Sequence, residues 1–483
     1  SLLGDEPSSV TFIFDPEGSY AKVFRQQGAD LAFAAGLMGW QITDDRFHQA
    51  LELASGQGLE IKFKVESLDM ADHPNTVLIQ MTSRKGKELS AVAKSIGGGG
   101  VIFTRIEEFP IELSGKTCEI SVLSDKESEP LVEKLLMSGS QMSGKSQRQE
   151  KGDLVFLHIK RFSALDAEVR KTIETLPGVK NIWISDPVFF VTQGDPLFSS
   201  AQEMVALAEN RSCSLGQIAL DYESELLKLT KDEVIREMIR RFEIMQSAVR
   251  QGLSEKNVQM QLLSPSARQI REVESQGKVA IGGIHTRAAA NAMAALHVSN
   301  SMGIVCAAPT GGASGVIPGV VVTLAEEKKM DLEEAAMALF ASSAVGLIIA
   351  ERATFAAEIA GCQVEIGAAS AMAAAAVIEI AGGTAQQAVD AAAISLQNSM
   401  GSVCDLVQGI CEIPCHTRNA VAASSAFVCA DLVLGGYSNP IPLDETVDAV
   451  YATGKMLPPE LRCTSLGGIA VTPSALSMPR QKE

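Results

Sequence analysis

The chain has 483 residues, 46% of them hydrophobic and 20% charged, with a formal net charge of −17. Such a length accommodates about three domains and a large core, and the composition is that of a globular chain; the acid excess leaves no basic footprint for nucleic acid or an anionic membrane. The nine cysteines, an odd number scattered over a long chain, do not make a disulfide framework and point to a reducing cytoplasm with free thiols. No signal peptide is visible. Ser1 stands where a methionine starts a chain, so an N-terminal piece is expected to precede it.

Residues 1–115 read as mixed α/β. Residues 10–14 are a short apolar strand and 29–38 a packed helix of small apolar residues ending at Gly39. Apolar positions recur at helical spacing over 44–56, and alternation makes 59–65 a half-buried strand. Residues 76–81 and 101–106 are further strands. His73-Pro-Asn-Thr76 caps an extended segment or forms a solvated turn. Ser95-Ile-Gly-Gly-Gly-Gly100 can bring backbone N–H groups to a ligand, or can be a flexible turn.

Residues 116–195 alternate strand (117–123), helix (129–136), polar low-complexity loop (138–153), strand (154–159), helix (164–176) and strand (179–184). That order predicts a small split β-α-β sandwich. Residues 196–483 are alanine-rich and interrupted by glycine. Helices are predicted at 216–229, 230–251 with Thr230 as N-cap, 286–300, 332–354, 368–382, 384–400, 418–434 and 443–454. Small residues let such helices approach closely, giving an all-helical domain of eight or more helices. The most apolar run, 335–350, is too short to span a bilayer and is flanked by Glu333, Glu334 and Glu351, so it reads as a helix buried on all sides.

Two stretches carry chemistry. Thr310-Gly-Gly-Ala-Ser-Gly315 is a glycine-rich, hydroxyl-bearing loop opening a helix, where backbone N–H groups favour an anion such as a carboxylate. It lacks the Gly-Lys-Ser/Thr ending of a nucleotide-binding loop. The stretch 401–419 puts Cys404, Cys411 and Cys415 into twelve residues among Gly, Pro, Asp, Arg and Asn, and Cys362 lies upstream in Gly361-Cys-Gln-Val-Glu-Ile-Gly367. No pair has structural zinc spacing. Soft thiolates suit iron–sulfur clusters as well as zinc, and a buried cysteine is also simply a small hydrophobe.

Gly-Cys-Gln-Val-Glu-Ile-Gly, Val403-Cys-Asp-Leu-Val407 and Ile413-Pro-Cys-His-Thr-Arg-Asn419 resemble the cluster motifs of the iron–sulfur-dependent L-serine dehydratases, with β and α parts fused in one chain. The resemblance extends to Gly18-Ser-Tyr-Ala21, Gln27-Gly-Ala-Asp30, the His73 and Ser95 motifs, the Thr310 loop, Ile441-Pro-Leu-Asp-Glu-Thr446 and Leu461-Arg-Cys-Thr-Ser-Leu-Gly-Gly468. It implies a multidomain α+β fold: a β-type α/β domain at 1–115, an ACT-like domain at 116–195 and an all-helical, cluster-binding catalytic domain at 196–483. A [4Fe–4S] cluster is then expected on Cys362, Cys404 and Cys415, with Cys411 merely packed. The implied catalytic set is His73, Asn75, Thr310, Ser314, Arg418 and Asn419. Arg418 would anchor a substrate carboxylate through its fork. Gln27, Asp30, Ser95, Gly97, Gly98, Gly311 and Gly312 would line the substrate.

The implied reaction converts L-serine to pyruvate and ammonia, in amino-acid metabolism and gluconeogenesis, by a cytoplasmic homodimer. The partner is a small hydroxy acid or amino acid, and neither nucleic acid nor membrane is expected. There are departures from the family. Gln27 replaces a histidine, Ala29 a hydroxyl residue and Cys463 a Glu-like position, and an opening Ser-Ser-Ser-His-Thr motif and a terminal cysteine are missing. Glutamine cannot shuttle a proton near neutral pH. Dehydration of another β-hydroxy acid, or an inactive cluster-binding paralogue, is therefore the alternative. The turn at 124–130 lacks glycine and carries Asp125, Glu127 and Glu129, which favours a structural role for the small domain.

Overall fold

The computed structural model describes residues 2–138 and 146–481. Its first part is a six-stranded sheet in the order β2-β1-β3-β4-β5-β6, formed by β1 (Pro7–Phe14), β2 (Glu60–Val65), β3 (Thr76–Ser83), β4 (Glu88–Gly97), β5 (Gly100–Ile106) and β6 (Phe109–Leu113). β1 is parallel to β2 and antiparallel to β3. Between β1 and β2 the chain forms α1 (Tyr20–Val23), α2 (Ala29–Leu37) and α3 (Ala50–Gly56). These cover one face of the sheet through an aromatic cluster, in which Phe12 stacks on Phe33 at 4.2 Å and on Phe63 at 5.5 Å. Aromatic and β-branched residues fill the pleat in alternation, so the period of two read from the sequence is real here. β4 and β6 escape that reading.

A second sheet, in the order β10-β7-β9-β8, contains β7 (Cys118–Asp125), β8 (Gln147–Lys151), β9 (Leu154–Arg161) and β10 (Val179–Ser185), wholly antiparallel. With α4 (Glu129–Leu136) and α5 (Ala167–Glu174) it follows the β-α-β-β-α-β order of a split β-α-β sandwich. The expected loop at 138–153 is corrected in part: β8 occupies its end, and residues 139–145 lie outside the described residues. The helices cover one face of this sheet. On its other face Phe156 and Trp183 pack with Leu89, Ile106 and Phe109 of the first sheet, fusing the two into one sheet-rich half.

The remainder is helical: α6 (Ala201–Arg211), α7 (Leu215–Leu227), α8 (Lys231–Ser254), α9 (Ala267–Ser275), α10 (Ile284–Asn300), α11 (Val316–Lys328), α12 (Leu332–Arg352), α13 (Ala357–Ala360), α14 (Ile366–Ile380), α15 (Ala385–Ser399), α16 (Cys415–Leu434), α17 (Leu443–Met456) and α18 (Pro473–Leu476). Thr230, Asp331 and Thr384 each close a capping box at their helix starts. α14 is the axis. Its run Ala-Ala-Ser-Ala-Met-Ala-Ala-Ala-Ala presents almost no side-chain bulk, so α11, α12, α15 and α16 surround it and bury it on every side. The expectation that 335–350 is buried on all sides holds in part: most of the run lies inside this core, but Ser343 and Ala350 are exposed.

A short parallel pairing of β11 (Cys404–Asp405) with β12 (Arg462–Thr464) draws the chain's last segment under the cysteine stretch. The two halves meet where the β4–β5 hairpin docks on residues 353–356, with Thr354 Oγ1 donating to the Ile96 carbonyl at 3.2 Å. A Cβ on Gly97, whose φ is +87°, would stand 2.4 Å from the Ala356 nitrogen, so only glycine permits this approach.

Candidate active site

The cysteine stretch is held open by its own polar residues. Asp405 is buried. It pairs with Arg418 at 2.9 Å and accepts from the Ile469 N–H at 2.8 Å. Gly468, at φ +61°, makes room for it: a Cβ there would lie 2.1 Å from Asp405 Oδ2. Glu412, also buried, accepts the N–H groups of Gln261, Leu262 and Leu263 at 2.6–2.9 Å. Asn300, at the end of α10, donates to the Cys411 carbonyl and to His416 Nε2. Buried polar groups are retained where they are paired, and here each ties the stretch to a different element.

The result is a cavity of about 260 Å³ at the junction of the two halves. Cys404, Cys411, Cys415 and Cys463 reach its wall, with Glu358, Glu365, Gly311, Gly312, Asn300 and Gln27. Cys362, Cys404 and Glu365 each offer a donor atom within 4.8 Å of the other two, a group able to hold a metal ion. Cys415 lies outside that tight set. It is electrostatically coupled to Cys362 and hydrogen-bonded to Cys411. Cys362 is the natural thiolate of the group. The hydrogen bond from Cys404 and the nearby Arg418 lower its pKa, while the pKa values of Cys404 and Cys415 are pushed well up by their neighbouring thiols and by burial.

Two carboxylates complete the cavity. Glu365 is raised well above the usual carboxylate range by burial and by the Cys362 charge, against a hydrogen bond with Thr310. Burial raises Glu358 too, against hydrogen bonds with Asn75 and Cys463. No cation pairs with either among the described residues. An acid desolvated in a cleft, without a counter-charge, is a candidate functional group. Sequence reading missed both as acid–base groups, although their position four residues before and three after Cys362 in an otherwise alanine-rich run was a usable signal.

The expected site residues divide. Gln27 reaches the cavity, its Nε2 3.5 Å from Cys463 Sγ. Gly311 and Gly312 line it, and Thr310 caps the turn they form by accepting from the Ala313 N–H. Asn75 is buried against Glu358 and donates to the Ser95 carbonyl at 3.3 Å. Cys411, expected to be merely packed, is at the cavity wall beside Cys415. Other expected residues do not line the cavity. Gly97 and Gly98 press on Ala356 and Phe355. Ser95 is paired to Asn75 within the sheet. Asp30 lies in the first turn of α2 and accepts from the Leu31 N–H, and Ala29 packs on the sheet core. His73 Nδ1 accepts from the Asn75 N–H at 3.1 Å, and burial lowers its pKa.

Arg418 does not present a free fork: it donates to the Val403 carbonyl at 2.7 Å, to Asp405 and towards Cys362 Sγ at 3.6 Å. Asn419 spends its amide on Gly312, Gly315 and Cys415, bracing the Thr310 loop against α16. Ser314 is wholly buried, and its hydroxyl has no partner among the described residues.

A helical domain that closes a thiol- and carboxylate-lined cavity against a sheet-rich half defines the class. Residues 210–470 match the family described as serine dehydratase alpha chain. The chain belongs to that family, the iron–sulfur L-serine dehydratases. It is 35% identical over 285 residues to a protein of Bacillus subtilis (strain 168) named "Probable L-serine dehydratase, alpha chain", covering 59% of this chain and 95% of that one. It is 34% identical over 275 residues to "L-serine dehydratase, alpha chain" of Peptoniphilus asaccharolyticus, covering 57% and 94%. It is 30% identical over 281 residues to "L-serine dehydratase 2" of Escherichia coli (strain K12), covering 57% and 61%. These names denote a lyase activity.

Proposed function

We propose that the protein removes water from L-serine, and that Cys362, Cys404 and Cys415 hold a [4Fe–4S] cluster for that reaction. The observation that carries the reading is the meeting of buried thiols from three separate segments: Cys404 and Cys415 line one cavity that also holds two carboxylates without a cation, and Cys362, outside its wall, shares a donor group with Cys404 and Glu365. The donor set fits such a group: soft sulfur atoms, one of them thiolate-favoured, beside open volume. When bound through three thiolates the cluster supplies an iron with an open position, a Lewis acid towards the substrate hydroxyl.

The chain's residues do the rest. Gly311 and Gly312, at the turn before α11, offer backbone N–H groups to the substrate carboxylate. Glu358 takes the Cα proton, since burial raises its pKa and so makes its carboxylate the stronger base. Glu365 is less suited, standing within the donor set itself. Asn75 orients Glu358. The hydroxyl departs as water, the enamine tautomerises to the imine, and hydrolysis gives pyruvate and ammonia. Arg418 and Asn419 act as positioning residues for Cys362 and the Thr310 loop.

The same reading assigns the first sheet to a β-type domain, the second to an ACT-like domain in a structural role, and the protein to a cytoplasmic homodimer. Exposed Val421, Val428 and Leu432, on one face of α16, suit a second copy. A second reading, another β-hydroxy acid as substrate, is favoured by one contact: Gln27 and Cys463, both departures from the family pattern, touch each other in the cavity. Anaerobic turnover of serine, threonine and amine-free hydroxy acids separates the two. Serine leading the panel is the expected result. A leading hydroxy acid would establish the second reading, and no turnover by iron-loaded protein would contradict both.

A further inference from the structure

A second cavity, of about 460 Å³, lies apart from the cysteines between α7, α8 and α12, closed by residues 306–309 and Phe355. Its volume is within the range of small-molecule sites, roughly 300–1,000 Å³. Most of the wall is apolar, with Phe198, Leu226, Met238, Leu339, Phe340 and Leu347 prominent. Three charged groups break it, Glu223, Glu237 and Arg241. Arg241 makes both of its bonds to Glu237, to the carbonyl at 3.3 Å and the carboxylate at 2.9 Å, through Nη1. The Nε–Nη2 edge of its fork has no partner among the described residues. Glu237 is already held by both nitrogens of the Arg240 fork. Glu223, by contrast, accepts no hydrogen bond among the described residues and is answered only at longer range by Arg241.

An open guanidinium edge recognises a carboxylate bidentately. An unpaired carboxylate beside it recognises an ammonium group. We propose that this cavity binds an α-amino acid with an apolar side chain, its carboxylate on Arg241, its ammonium on Glu223 and its side chain among the hydrophobic residues. The ligand satisfies two charged groups that the protein leaves open in the wall of a space it otherwise leaves unfilled. The segment 306–309 forming one wall runs directly into Thr310, so occupancy stiffens the base of the loop that lines the cysteine cavity. That consequence rests on the function proposed above; the binding itself does not.

Calorimetric titration of the whole protein with L-leucine tests the binding. Amine-free 4-methylpentanoate, carboxylate-free isoamylamine and glycine are the controls. Saturable heat is expected with leucine, and affinity at least about tenfold lower with each control, as each lacks one charge-assisted bond or the buried side chain. Glu223→Gln should weaken leucine by a similar factor, and Ser343→Trp, filling the cavity from α12, should abolish it. Circular dichroism and iron content show that both variants fold. No saturable heat, or equal affinity in both folded variants, overturns the proposal. Because the readout is binding, a failed serine assay leaves the result intact.

Discussion

At the scale of single residues the proposed chemistry turns on Glu358. It stands in the cavity without a cation, and only Asn75 and Cys463 hold its carboxyl against the cost of burial. Glu358→Gln preserves shape and hydrogen bonding and removes the proton acceptor, so turnover is expected to fall by about 10²–10⁴-fold with the iron content unchanged. Turnover within a few-fold of the parent would show that the proton goes elsewhere. His297 sets a second residue-scale expectation. It is completely buried, neither ring nitrogen has a partner among the described residues, and the His416 ring lies 4.9 Å away. Burial lowers His297 to about 4 and His416 to about 3. The folded values lie below the unfolded one, so the stability is full above about pH 6.5 and is lost as the pH falls toward 4. Between about pH 7 and pH 5 His297 alone accounts for about 2 kcal/mol. Urea midpoints should show that loss, and His297→Phe should flatten it; an equally steep pH dependence in the variant would contradict the assignment.

The cysteines proposed as ligands and the Thr310 turn stand out in the sequence because several motif residues surround each of them. The roles of Arg418 and Asn419 do not. A guanidinium or an amide next to a ligand reads the same whether it faces the substrate or the scaffold, and only the structure shows Asp405 and Gly315 as their partners.

Elements were legible where one face is buried. Helices α7 and α8 and strands β1 and β2 show their period, whereas β9 and α14, buried on all sides, read only as apolar runs. β8 could not be read: Gln-Arg-Gln-Glu-Lys has no apolar residue, and it is an edge strand formed by backbone pairing with β9. The glycine run at 97–100 reads as a ligand cradle or a flexible turn, because close approach to a ligand and close approach to backbone ask for the same residue. Its role as the docking point of the β4–β5 hairpin gives a further expectation. Gly97→Ala strains a positive φ and meets Ala356, so it should cost about 1–3 kcal/mol in urea unfolding. It should also loosen Asn75, which the same hairpin holds against Glu358. An unchanged midpoint would mean that the hairpin contact is not a fixed junction.

At the scale of the whole molecule, the site exists only because distant stretches are brought together. Cys362 enters through the turn before α14, Cys404 through the β11–β12 pairing, Cys415 at the start of α16, and the sheet-rich half contributes Gln27 and Asn75. Composition and periodicity indicated a sheet-rich half and a helical half but not their junction, because a junction built from Gly97, Thr354 and Asn75 leaves no periodic trace. The presence of Cys411 and Cys463 in the same cavity makes the choice of ligands a sharp question, since five thiols are near and three are assigned. Iron and sulfide content of anaerobically prepared single Cys→Ser variants answers it most directly. The account predicts a full [4Fe–4S] complement in the parent and in Cys411→Ser, and its loss in Cys362→Ser, Cys404→Ser and Cys415→Ser; a full complement in Cys404→Ser would contradict it.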